Sequence, residues 1–198
     1  IRQLAPNARF VGMGKAISMM KDFYGVDDNV MVVKHEDTLS LGKFTLRFLF
    51  TPMVHWPETM ITYLVEEEIM FSCDAFGSYG SLDGVLFDDE AKDQLPFYEK
   101  EALRYYTNIV AAFSRNTLMA IDKAAVYPFK IIAPSHGLIW RKDPMRIVSL
   151  YQQWAKYATE QTEPGVTVLF GTMYRNTERA MEACLQTITN EGVPVEVF

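Results

Sequence analysis

The sequence predicts an α/β protein, and three observations carry that expectation. Apolar runs of strand length alternate with segments whose apolar residues recur at helical spacing. Gly, Asp and Pro punctuate the junctions between them. The stretch 166–198 reads strand, turn, helix, strand, the order of a parallel βαβ unit.

The elements follow in order. The segment NARFVGMGKAISMMKDFYG predicts a short strand and a helix that Gly25 stops. NVMVVKHEDTLSLGKFTLRFLFTP predicts several strands separated by Asp and Gly turns, the last over 43–50, with His35 solvated in a polar hairpin. TMITYLVEEEIMFSCD predicts a pair of strands with Glu66, Glu67 and Glu68 at their turn. Residues 75–95, rich in Gly and Asp, predict a surface loop. Over 97–125 the spacing of Leu103, Tyr106, Ile109, Val110, Phe113 and Leu118 predicts one or two helices. YPFKIIAPSHG predicts a strand ending at His136 and Gly137, and Pro144 opens a helix to about Tyr157. TEQTEPG reads as a linker. Beyond it come a strand over 166–170, a helix over 178–190 and a strand over 193–198.

Composition excludes some functions. The net charge is −6, from 25 acids against 19 bases, and no basic block offsets it, so neither nucleic acid nor an anionic membrane is an expected partner. The apolar runs are too short for a membrane span. Two cysteines are too few for a disulfide framework, and no signal-peptide pattern opens the sequence; both lead us to expect a cytoplasmic protein.

Three residues share one situation. His55, Asp74 and His136 each follow an apolar strand and stand beside a turn, where a sheet holds functional groups rigidly. Imidazole and carboxylate together suit iron, zinc or manganese. Each also has an ordinary explanation: His55 as a turn residue before Trp56-Pro57, Asp74 as a turn cap, His136 as the end of a strand. Cys73 is read as packing, because neighbours on an extended strand point to opposite sides.

A second pattern lies in VTVLFGTMYRNTERAM. A strand runs into a turn of hydroxyls and amides, then a helix, whose N-terminal N–H groups can hold an anion. Thr172, Asn176 and Thr177 can add donors, and simple N-capping by Asn176 or Thr177 accounts for the same residues.

The words HWPETM, SCDAFG and IIAPSHGLIW, in that order, resemble the second half of the metallo-β-lactamase-like domain of flavodiiron proteins (A-type flavoproteins). The stretch after the linker resembles the first βαβ of the flavodoxin domain that follows in that family. The resemblance implies an αββα sandwich over 1–160, with its N-terminal part lying upstream, and the start of a flavodoxin-like FMN domain over 166–198. It implies that His55, Asp74 and His136 are metal ligands, with Asp74 bridging two non-haem irons. The family's H-x-E-x-D-H motif, the source of the remaining ligands, does not occur in this sequence, which has three histidines.

By the same resemblance the FMN phosphate site spans Thr172, Met173, Tyr174, Arg175, Asn176 and Thr177, with Arg175 where related flavodoxins often have Gly. A tyrosine near the metals is implied too, either Tyr105 or Tyr106. The implied activity is reduction of O2 to water or of NO to N2O, with electrons from a small carrier such as rubredoxin, in a head-to-tail homodimer or dimer of dimers. A binuclear zinc hydrolase and an inert structural fragment are the alternatives.

Overall fold

The computed structural model describes residues 1, 3–159 and 164–198. The chain divides into two compact units, Ile1–Glu160 and Gln161–Phe198. Most of the expected linker, residues 160–163, lies outside the described residues.

The first unit opens with β1 (Phe10–Met13), α1 (Gly14–Tyr24) and β2 (Val30–Val33). The two strands pair in parallel, Phe10 opposite Val30, with α1 as the crossover. Gly25 ends α1 in the left-handed conformation (φ 65°) and returns its N–H to the Lys21 carbonyl at 2.8 Å.

Five strands form the second sheet: β3 (Thr38–Ser40), β4 (Thr45–Phe50), β5 (Met60–Leu64), β6 (Ile69–Cys73) and β7 (Ile131–Pro134), in that spatial order. The first four pair antiparallel with one another. Burial alternates along β5 and β6, so Ile61 and Tyr63, then Met70 and Ser72, turn inward with period two. Leu49 faces Ile61 across one pair and Met70 faces Tyr63 across the next, all four almost wholly buried.

β7 joins β6 in parallel, Met70 opposite Ile132, which requires a long crossover. That crossover carries α2 (Asp88–Ala91), α3 (Leu95–Tyr105) and α4 (Ser114–Ala124); a π-helical turn, Tyr106–Val110, and a short 3₁₀ turn, Ala111–Phe113, join the last two. After β7, α5 (Pro144–Tyr157) starts with Pro at its first helical turn and packs on α4. The core holds Leu49, Ile61, Met70, Ile132, Ile147 and Tyr151.

Topology positions the ends of the strands. β5 is antiparallel to both β4 and β6, and β7 is parallel to β6. The C-terminal ends of β4, β6 and β7 therefore lie at one end of the sheet, and the segments bearing His55, Asp74 and His136 leave from there.

Several expectations need correction. The strand expected over 43–50 starts at Thr45, because Gly42 turns in the left-handed region (φ 84°). His35 is not in a hairpin: β2 pairs with β1 while β3 pairs with β4, so it lies in a connection between two sheets. There its exposed ring accepts the Phe50 N–H on Nδ1 at 3.0 Å. Residues 75–95 are not simply a surface loop. Ala75, Phe76, Ser78, Asp88 and Ala91 are buried, because the segment threads under the crossover helices.

In the second unit β8 (Val166–Val168) pairs in parallel with β9 (Val195–Val197), and α6 (Asn176–Asn190) connects them. Both strands are shorter than the sequence suggests, and α6 begins two residues earlier. No residue of α6 is buried. Among the described residues no helix is long and apolar enough to cross a membrane.

Candidate metal centre

His55 sits in a tight loop after β4. The Thr51 N–H donates to the Thr59 carbonyl (3.0 Å), the Met53 N–H to that of Trp56 (2.8 Å), and the Thr59 hydroxyl to that of Trp56 (2.8 Å). Thr59 is itself buried, so the HWPET loop is fixed by internal bonds.

Asp74 leaves β6 through a bulge against β7. Cys73 and Phe76 both take positive φ (55° and 67°), which turns the chain sharply around the carboxylate. The Ser72 hydroxyl donates to the Ala75 carbonyl at 2.7 Å and the Gly77 N–H to the Asp74 carbonyl at 3.2 Å. From below, the buried Tyr151 hydroxyl holds the Gly77 carbonyl at 2.7 Å.

His136 follows β7 and is tied to the same loop, its carbonyl accepting the Ser78 N–H at 3.2 Å. Gly137 makes that approach possible. Its φ is 83°, and a Cβ there would come within 2.0 Å of Ser78 Oγ.

The three side chains converge. Asp74 Oδ2 lies 3.3 Å from His55 Nε2, and its other oxygen, Oδ1, lies 3.4 Å from His136 Nε2. One carboxylate thus offers one oxygen to each histidine. Ligand atoms about 2.1 Å from a shared cation stand about 3 to 3.4 Å apart at octahedral or tetrahedral angles, so each pair fits one metal position. Among the described residues no group of three or more His, Cys, Asp or Glu side chains surrounds a single point. The arrangement is two His–Asp pairs that share Asp74, each near enough to share a cation.

The two candidate tyrosines part company. The Tyr105 ring lies 5.8 Å from that of His136 and 5.1 Å, edge-on, from that of Tyr79. Burial, reinforced by the Asp74 carboxylate, pushes its hydroxyl well above the ordinary tyrosine range, so it stays protonated at neutral pH. Tyr106 instead packs its ring against Tyr151 and Trp154 and shares a 2.7 Å hydrogen bond with Ser114. It belongs to the aromatic core and not to the surroundings of His136.

Cys73 also departs from expectation. At φ 55° it closes β6 out of the extended conformation, and it lines one cavity together with Asp74, Trp56 and Glu58. Burial pushes its thiol up. Glu58 escaped the sequence reading. One of its carboxylate oxygens is buried with no hydrogen-bond partner among the described residues, and its only signal was a charge three positions beyond His55.

In the second unit, residues 171–177 are exposed. Arg175 enters α6 at φ 65°, the left-handed conformation that glycine favours, and its guanidinium pairs with Glu178 at 2.8 Å. No side chain caps α6, so neither Asn176 nor Thr177 is the N-cap that would explain the loop away. Thr172 and Thr177 flank the start of α6 in sequence and are residue types that can add donors where a helix N-terminus holds an anion.

Comparison with known proteins agrees with this architecture. The family model described as ODP family beta lactamase matches residues 2–137. A nitric oxide reductase of Moorella thermoacetica is 36% identical over 201 residues, covering all of this chain and 49% of that protein. The flavodiiron protein of Giardia intestinalis superposes with a TM-score of 0.84 at 31% identity, over 98% of this chain and 46% of that one. Rubredoxin oxygen:oxidoreductase from Desulfovibrio gigas gives 0.82 at 28% identity, over 96% and 47%. The chain therefore spans about half the length of these relatives. Likeness in sequence and in fold leads to one conclusion: the chain belongs to the flavodiiron protein family.

Proposed function

We propose that the protein containing this chain reduces O2 to water, NO to N2O, or both, at a non-haem di-iron centre fed with electrons through FMN. The observation that carries the reading is the Asp74 carboxylate, which presents one oxygen toward His55 and the other toward His136. The names of the relatives, a nitric oxide reductase and a rubredoxin oxygen:oxidoreductase, support both gases. The βαβ unit β8–α6–β9 tells against a zinc hydrolase, which has no use for an electron relay.

In this reading Asp74 would offer a carboxylate oxygen to each of two metal positions, and His55 and His136 would each offer a nitrogen to one. Asp74 supplies the negative charge that neutral imidazoles cannot. Bound iron supplies the redox chemistry at the diatomic, and bound FMN supplies the electrons. Tyr105, protonated beside His136, is the one hydroxyl of the two candidates able to donate a hydrogen bond toward the centre. Residues 172–177 would hold the FMN phosphate at the start of α6. We assign residues 1–160 to the di-iron domain and 166–198 to the start of the FMN domain.

Rubredoxin or a similar small carrier is the proposed donor. A head-to-tail homodimer, or a dimer of dimers, would bring the FMN of one subunit near the iron of the other. The free Cys73 and Cys184 suit the reducing cytoplasm, where we place the protein.

The test is iron and flavin content of the full-length protein, with consumption of each gas under reduced rubredoxin. Two irons and one FMN per subunit with turnover of either gas support the reading. Zinc in place of iron, or no flavin, sinks it. The same metal analysis on the 198-residue chain distinguishes a metal-binding unit from an inert one.

A further inference from the structure

Between β6, β7, α4 and α5 lies a cavity of about 280 Å³. Met70, Phe76, Ile121, Ile132 and Val148 line its depth, all of them buried. Asp122, Ala125 and Met145 also line it and are exposed, so the cavity communicates with solvent on that side. Its inner wall is therefore apolar and its mouth mixed.

Two physical facts decide what such a space holds. Water needs two to four polar partners to occupy a buried site; the buried residues of the wall carry no polar side chain, and Gln152 and Asp122 are the polar side chains of the lining. An apolar cavity of about 150 Å³ already stays dry and takes up xenon or benzene. An uncharged diatomic with little hydrogen-bonding capacity loses little on leaving water and gains contact with the wall. A charged or strongly polar solute would lose its solvation there.

The cavity also touches the machinery of the candidate centre. Phe76, part of its wall, stands two residues beyond Asp74. The Phe76 ring packs 5.3 Å from that of Tyr151, whose hydroxyl holds the Gly77 carbonyl. Met70 and Ile132 lie on β6 and β7, the strands that deliver Asp74 and His136. Phe76 thus belongs both to the wall of the cavity and to the turn that carries Asp74.

We propose that this cavity is a binding site for an apolar diatomic gas, O2 or NO, that serves the Asp74 centre from behind the sheet. The identity of the gas rests on the function proposed above. The cavity itself does not.

The experiment uses the full-length protein loaded with iron and FMN, crystallised and pressurised with xenon. Xenon is expected against Met70, Ile132 and Val148. Val148→Phe fills the interior, and Ala125→Trp covers the mouth from an exposed position that does not endanger folding. Both should lose xenon and show a several-fold rise in KM for O2, with kcat at saturating gas and iron and flavin content unchanged. No xenon in the wild-type cavity overturns the proposal. So does an unchanged KM in a variant shown to exclude xenon. Xenon uptake does not depend on turnover, so a protein that binds xenon there yet consumes neither gas overturns the proposed function and leaves the binding site supported.

Discussion

Asp74 stands between two imidazoles with an oxygen toward each, and only a carboxylate can do this with a compensating charge. Asn at this position keeps the shape but offers one good donor oxygen and no charge. In the full-length protein, Asp74→Asn is expected to lower iron content and abolish gas consumption while FMN binding persists. His35→Ala is the comparison. His35 is exposed, accepts the Phe50 N–H on Nδ1 and has Nε2 3.8 Å from the Glu36 carboxylate, so its loss should cost at most about 1 kcal/mol and leave iron unchanged. Iron and flavin per subunit, measured on both variants, check the contrast. Full iron and normal turnover in Asp74→Asn would reduce the residue to a turn cap and remove the case for its two histidines.

At the scale of elements, a single buried carboxylate locks the start of α2 to the turn before α5. Asp88, at 6% exposure, accepts the backbone N–H groups of Arg141 (2.9 Å), Lys142 (3.0 Å) and Asp143 (2.9 Å). Asp88→Ala strands these donors, and the cost of unsatisfied buried groups predicts a loss of about 2–3 kcal/mol in urea unfolding. An unchanged urea midpoint would show that water replaces the carboxylate freely.

A second clamp joins the connection between β2 and β3 to the chain beyond α4. Glu36 accepts from the Arg47 guanidinium at 2.9 Å and from the Tyr127 hydroxyl. Burial opposes ionisation of Glu36, yet those two donors outweigh it and hold its carboxyl below the ordinary glutamate range. A depressed folded-state pKa gives stability that is fully present above the unfolded value near 4.5 and is lost as pH falls through the folded value. Wild type should therefore exceed Glu36→Gln in thermal stability at neutral pH, with the gap closing as pH drops below about 4.5. A gap that stays constant to low pH would mean that ionisation of Glu36 contributes nothing.

For the whole molecule, the two units differ in what they bury. The first contains every residue of the hydrophobic core. The second has a two-stranded sheet and one helix with no buried residue. A unit of this size without a core opens readily. In the 198-residue chain, amides of α6 are expected to exchange with solvent far faster than those of β5 and β6, by hydrogen-exchange mass spectrometry. Comparable protection in both would show a stability that the burial pattern does not provide.

The sequence by itself determined the alternation of strands and helices, because periodicity and turn residues are local properties. Gly25 stopping α1 and Pro144 opening α5 are legible for that reason. The three strand-end residues were legible as well, since a His or Asp closing an apolar run is visible without coordinates, and the words around them carried the family. Tertiary structure alone decided the rest. Which strands are neighbours is a long-range matter, and only the order β4-β5-β6-β7 puts the ends of β4, β6 and β7 side by side. The choice between Tyr105 and Tyr106 turned on helix orientation, since neighbouring residues point to different partners: His136 for one, Tyr151 and Trp154 for the other. The geometric reason for reading Cys73 as packing failed, because a bulge and a positive φ break the strand periodicity on which it stood. Asp88 and Glu58 look like any surface acids in sequence, and their burial comes from segments remote along the chain.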